Sequence, residues 1–179
     1  CVGDCSTNEK CVCRLRMPFF PYSIDDLLHG TNPIFECSKN CTCSSECGVR
    51  LTTNFVAKRI QIFKTPDRGW GVRGLESISR GSYICSYVGE LISQKEANQR
   101  YAKASGPNYI LVYKEHILRN GVPRTYRTII DATHYGNASR FINHSCTPNL
   151  VLIPIRSNSI VPSICVFAAK DIAAGEELT

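Results

Sequence analysis

Cysteine placement constrains this chain more than any other feature. Of 11 cysteines in 179 residues, eight precede residue 48: Cys1, Cys5, Cys11, Cys13, Cys37, Cys41, Cys43 and Cys47. Cys85, Cys146 and Cys165 are scattered through the remainder. The chain therefore divides near residue 50 into a thiol-rich segment and an ordinary globular one. The thiol spacing runs C-x3-C-x5-C-x-C and then, after a long gap, C-x3-C-x-C-x3-C. Two cysteines one residue apart cannot easily bond each other, because a disulfide tolerates a narrow range of geometries. They can ligate one metal or two adjacent ones, and tetrahedral thiolate sites at about 2.3 Å from zinc are the obvious use. The competing reading is a secreted disulfide scaffold. The odd cysteine total and the lack of a charged start followed by an apolar stretch weigh against it. Eight thiolates suit two separate zincs, or a cluster in which some thiolates bridge. The segment 14–36 between the two halves carries Pro18, Pro21, Gly30 and Pro33. It reads as a loop with at most a short helix around Ile24–Leu28.

Beyond residue 58 the pattern is short strands broken by turns. Strands are expected over Arg59–Phe63, Ser82–Leu91, Asn108–Tyr113, Tyr126–Ile130, Leu150–Arg156 and Ser163–Ala168, all rich in β-branched and aromatic residues. One helix is expected over Gln94–Ala104, with Ser93 as N-cap and Glu96 three residues on. Asp131–His144 is polar and small, and predicts a short helix or an irregular turn. Leu75–Gly81 and Lys170–Gly175 share an I-x-x-G turn after a strand, which suggests two similar hairpin corners. The fold class is mainly β, with short curved strands and few short helices. A hydrophobic content of 43% supports a genuine core. The net charge of +6 is compatible with chromatin or nucleic-acid surroundings but decides nothing alone. No apolar run reaches the ~18–20 residues of a membrane span.

Gly69-Trp70-Gly71-Val72-Arg73-Gly74 matches the dinucleotide pattern G-x-G-x-x-G, yet the context rejects it. The third glycine should open a crossover helix, and here another turn follows at Gly81. A tight loop exposing backbone and a tryptophan face fits better, with a hairpin that buries Trp70 as the alternative. The more specific signal is Arg140 to Asn149, RFINHSCTPN, which packs a cation, amides, an imidazole and a thiol into ten residues.

Together, GWGVR (69–73), SYVGEL (86–91), NYI (108–110), DATHYGNASRFINHSCTPN (131–149) and AAKDIAAGEEL (168–178) occur in the order and spacing of SET-domain protein lysine methyltransferases, which the chain resembles. The cysteine segment resembles the pre-SET domain of the histone-methylating class. FKTPDRGWGVRGLE and NLVLIPIRSNSIVPSICVFAAKDI are similar to the SET part of the SET–mariner transposase fusion family. The resemblance implies a pre-SET zinc-binding segment at 1–50 and a SET domain at 58–179, each truncated at its outer end. It implies small curved sheets with a knot-like crossing that involves NHSC. It implies S-adenosyl-L-methionine as methyl donor, held by Arg68, Gly69, Trp70, Tyr109, Arg140, Asn143 and His144, with Tyr87 as the catalytic tyrosine of the lysine channel. It implies zinc on Cys1, Cys5, Cys11, Cys13, Cys37, Cys41, Cys43 and Cys47. Cys146 is implied as a ligand of a further zinc completed by a post-SET segment, against the alternative of a plain free cysteine. His144 also suits a purely structural hydrogen-bonding role.

The implied function is methyl transfer to a histone-tail lysine by a chromatin enzyme of the nucleus and chromosome. A DNA contact is compatible with this but not required, and no membrane is involved. Lacking the tyrosine that follows in the family pattern, residues 1–179 alone are expected to be weakly active or inactive. A non-catalytic chromatin-binding module that keeps the fold and the zinc cluster is the alternative. Metal analysis tests the first inference: at least two zincs per chain are expected, and intact disulfides without metal would contradict it.

Overall fold

The computed structural model describes residues 5, 8, 10, 11, 15, 23–29, 34–53, 58–157 and 159–179. Cys1 and Cys13, and the prolines and glycine of the expected 14–36 loop, lie outside the described residues. In chain order the elements are α1 (Ile24–His29), β1 (Ile34–Phe35), β2 (Ile60–Lys64), β3 (Trp70–Gly74), β4 (Tyr83–Ser86), β5 (Glu90–Leu91), α2 (Gln94–Lys103), β6 (Ile110–Arg119), β7 (Val122–Asp131), a 3-10 turn (Ala138–Phe141), β8 (Leu150–Arg156), β9 (Ser163–Ala168) and β10 (Glu177–Leu178). The chain forms two compact units, one of Cys1–Ser86 with Phe141–Thr179 and one of Tyr87–Arg140. The mainly β class with few short helices is thus observed.

The first unit holds two sheets, ordered β1-β8-β9-β4 and β10-β3-β2. β9 reads SICVFA, and Ile164 to Ala168 are all buried, as a strand covered on both faces should be. It pairs antiparallel with β8 from Leu150↔Ala168 to Ile155↔Ser163 and with β4 on its other edge. One apolar cluster joins Val72, Ile78, Ile84, Leu150, Val166, Ala168, Ile172 and Leu178, with Phe141 and Ile142 packed against it. A second joins Leu27 and Leu28 of α1 to Ile34, Ile153, Ile155 and Phe167. α1 starts on a reciprocal cap: Asp26 N donates to Ser23 Oγ at 3.0 Å, and Ser23 N donates to Asp26 Oδ2 at 3.3 Å. The two I-x-x-G corners meet: Ile78 and Ile172 exchange both backbone hydrogen bonds at 2.9 Å, and both side chains are buried.

The second unit is a sheet ordered β5-β7-β6 with α2 beside it. α2 runs as expected, with Glu96 N donating to Ser93 Oγ at 3.1 Å. β6 and β7 form a long ribbon paired from Ile110↔Asp131 to Arg119↔Val122. Its turn is Asn120-Gly121, with φ of 52° and 74°, the double left-handed geometry of a type I′ hairpin.

Three expectations change. Ser82–Leu91 is not one strand: β4 ends at Ser86 and β5 begins at Glu90. A Cβ on Gly89 would lie 2.5 Å from the Asp131 carbonyl, so the chain turns close against β7 there. The strands expected at 108–113 and 126–130 are instead ten-residue strands, Ile110–Arg119 and Val122–Asp131, because cross-strand pairing carries Lys114 to Arg119 and Val122 to Thr125 despite their polarity. Finally, the stretch from Trp70 to Gly74 is a strand, not a loop, although Trp70 stays 52% exposed. Gly89→Ala should lose about 1–3 kcal/mol in urea denaturation through overpacking. Gly106→Ala, which meets nothing within 4 Å, should change stability by under about 0.5 kcal/mol.

Candidate functional site

The Sγ atoms of Cys5, Cys37, Cys43 and Cys47 lie within 4.8 Å of one another, and all four residues are buried. Cys37 and Cys47 sulfurs are 4.0 Å apart, far beyond a disulfide bond. Tetrahedral zinc at ~2.3 Å from each thiolate separates its ligands by about 3.8 Å, so this donor set fits zinc. Cys11, Cys41 and Val49 pack against the same cluster without joining the four-sulfur group. Arg50 organises the loop: its guanidinium donates to Cys43 Sγ and the Cys41 carbonyl at 3.3 Å, and to the Ser44 carbonyl at 3.3 Å. Burial alone would raise the Cys43 thiol, but hydrogen bonds from Cys37, Cys5, Cys47 and Arg50 outweigh it and draw the pKa down. Cys5 is pushed up, chiefly by burial. Cys146 stands apart and exposed.

In the same unit, Thr65 shapes the loop before β3. Its N and Oγ1 both donate to the Gly69 carbonyl, at 2.8 and 3.1 Å, and Oγ1 accepts from Arg68 N at 3.0 Å. Gly69, with φ of 75°, supplies the left-handed corner. Arg68 Nη1 then reaches the His144 carbonyl at 3.0 Å. Asn143 Nδ2 donates to the Trp70 carbonyl at 3.1 Å and to Glu177 Oε1 at 2.9 Å. Gly71 is required here, since a Cβ would sit 2.8 Å from Glu177 Oε1 and from Thr65 Cγ2. The structure thus gathers Arg68, Gly69, Trp70, Asn143 and His144, and His144 takes part through its backbone. Sequence reasoning missed two members. Glu177 closes the group, and buried Asn149 donates to Glu176 Oε1 and the Glu177 carbonyl at 2.9 and 2.7 Å while accepting from Thr179 N at 2.8 Å.

The second unit gathers the other three. The Tyr87 hydroxyl donates to the Tyr109 carbonyl at 2.9 Å, which also accepts from Ala132 N at 3.1 Å. The Arg140 guanidinium lies 3.9 Å over the Tyr109 ring, a cation–π stack that fixes its plane. Burial, as the main cause, raises the Tyr87 pKa above its ordinary value, so the phenol stays neutral at physiological pH. An ion-pair group that the sequence did not signal supports β7: Arg100 contacts Glu90, Glu96 and Asp131 at 2.8, 2.9 and 2.8 Å. Burial would raise the Asp131 carboxyl, but hydrogen bonds from Thr133 and Arg100 hold it below its usual 3.8.

Residues 69–179 match the SET domain family, so the chain belongs to it. Among relatives, human histone-lysine N-methyltransferase SETMAR is 38% identical over 97% of this chain and 28% of its own length. Rat SETMAR is 42% identical over 82% of this chain and 46% of its own. This chain therefore spans less than half of these proteins. Among solved structures, the Neurospora SET-domain protein DIM-5, described as a histone lysine methyltransferase, aligns at TM-score 0.80 and 31% identity, covering 100% of this chain and 78% of that one. The methyltransferase domain of human SETMAR aligns at TM-score 0.75 and 41% identity, covering 83% and 53%.

The Asp131 shift has a pH consequence. A carboxyl with a depressed folded pKa adds stability above its unfolded value near 3.8, and that stability is lost as pH falls through the lower folded value. Asp131→Asn should therefore be less stable than the parent at pH 7, with the difference shrinking below about pH 4. Urea denaturation across pH 7 to 3 checks this, and a constant difference would contradict it.

Proposed function

We propose that this chain is the catalytic part of an S-adenosyl-L-methionine-dependent lysine methyltransferase that acts on histone tails in nuclear chromatin, with 1–50 as its zinc-binding pre-SET segment and the SET domain from 58 onward. The observation that carries this is Asn143. One amide ties the Trp70 carbonyl of GWG and the Glu177 carboxylate of the terminal EEL to NHSC. Three separated family segments thereby form one surface. The relatives named as histone-lysine N-methyltransferases support the substrate class.

The residues present suit such a cofactor. Trp70 offers a half-exposed indole for an adenine-sized ring. In the first unit the Trp70 and His144 carbonyls have second lone pairs that suit an ammonium. In the second unit Arg140, stacked on Tyr109, presents a fixed cation suited to a carboxylate. S-adenosyl-L-methionine, when bound, supplies a methyl group on a positively charged sulfur. The substrate amine must be neutral to receive it, although a free lysine has a pKa of ~10.4. Partly apolar surroundings lower that value by disfavouring the ammonium. Tyr87 holds a neutral hydroxyl beside the Tyr109 backbone, which suits orienting an amine or a water rather than acting as a base. Cys146, exposed in the NHSC turn, is proposed as a ligand for a further zinc.

S-adenosylhomocysteine should raise the melting temperature of the protein. Asn143→Ala should abolish that shift and lower stability by about 0.5–1.5 kcal/mol, since it removes two partly exposed hydrogen bonds. Tyr87→Phe should keep the shift but slow lysine methylation by the full-length protein at least about 10²-fold, read by mass spectrometry on histone peptides. Unchanged cofactor affinity in folded Asn143→Ala would refute the site.

A further inference from the structure

The β6–β7 ribbon carries a charge pattern that neither methyl transfer nor folding uses. Between Lys114 and Arg127 the sequence places four cations, Lys114, Arg119, Arg124 and Arg127, against one carboxylate, Glu115. Lys114 and Arg127 are exposed and directly opposite each other. Like charges in that position destabilise a sheet. Among the described residues no carboxylate pairs with Lys114, Arg124 or Arg127. A stretch selected for stability alone would place an acid in one of these positions.

The geometry points to duplex DNA as the missing counter-charge, and we propose that this ribbon is a DNA-contacting arm. The third strand, β5, pairs with β7 only at Ile130 and Asp131, so beyond Ile129 the ribbon projects as two strands. Two strands about 4.8 Å apart fit a major groove about 12 Å wide. From Lys114 to the Asn120-Gly121 turn the ribbon extends roughly 20 Å at ~3.3 Å per residue. Alternation puts Lys114, His116, Thr125 and Arg127 on one face, all exposed, as donors for phosphates and base edges. Leu118 (74% exposed) lies toward the turn on the same face, where a thymine methyl group would cover it. An acidic peptide is the rival, but it would need no paired cations across two strands.

The test is fluorescence anisotropy of the protein with a random-sequence 20-bp duplex, titrated between 50 and 200 mM KCl. Lys114→Glu with Arg127→Glu should weaken binding at least about tenfold and reduce the salt slope by about 1.8, or ~0.9 per phosphate contact. Lys95→Glu with Lys103→Glu on α2 makes the same change in net charge and should leave most of the binding. The neutral pair Lys114→Gln with Arg127→Gln should fall between, which guards against a misfolded charge-reversed variant. Equal losses from the ribbon and α2 pairs would overturn the proposal, as would no duplex binding at 50 mM KCl. Capture of a polyglutamate peptide in preference to duplex would also overturn it, in favour of an acidic protein partner. S-adenosylhomocysteine thermal shifts on the same variants should be unchanged, so the outcome is separable from the methyltransferase reading.

Discussion

Two asparagine amides hold the first unit together where three separated chain segments meet. Asn143 and Asn149 lie six residues apart in one irregular turn, and between them they bind the GWG strand and the last four residues of the chain. Irregular backbone beside a core has no ladder partners of its own, so side-chain amides must supply them. Asn149 does this on three sides: Nδ2 donates to Glu176 and Glu177, and Oδ1 accepts from Thr179. Its backbone N–H also donates to the Thr179 carbonyl at 3.0 Å. Once β10 is fixed on β3, Leu178 and Val72 join the apolar cluster that Ile78, Ile172 and Val166 complete. The proposed cofactor surface depends on this bracing, because Trp70 and Glu177 are held by the same amide.

The thiol-rich segment is stabilised differently. Its described core is Val49 and buried cysteines with Phe35 packed against them, too little apolar surface to order a loop on its own. Four converging sulfurs and the Arg50 fork substitute for packing, and a metal bound by them would contribute directly to folding. Glu36, buried beside this segment, accepts from Thr52 N and Oγ1 at 2.9 and 2.6 Å, while its N–H reaches the Arg156 carbonyl at 2.8 Å. Through those bonds the segment is joined to the edge of the β8 sheet.

Much of this was legible in the sequence because local chemistry and tertiary structure agree. The Ser93 cap, the apolar run of β9 and the paired I-x-x-G corners each have a local signature, and the corners turn out to pair with each other. The family segments name Asn143 and Trp70 for one site, and the two are hydrogen-bonded. Other features have no local signature. The outer half of the β6–β7 ribbon is polar and contains Pro123, neither of which signals a strand, although Asn120-Gly121 is a hairpin signal. The break between β4 and β5 arises from Gly89 lying on the Asp131 carbonyl, a contact across 42 positions that no window reports. Arg100 gathers Glu90 and Asp131 by tertiary approach, and only its contact with Glu96 has helical spacing. Spacing gave the thiolates as candidate ligands but not which four converge.

Asn143 and Glu177 act as one unit. A double-mutant cycle of Asn143→Ala and Glu177→Ala, read by urea denaturation, measures that directly. The account predicts a coupling energy of about 1 kcal/mol or more, because the charge-assisted bond at 2.9 Å vanishes in either single variant. Additivity of the two substitutions within about 0.3 kcal/mol would contradict it.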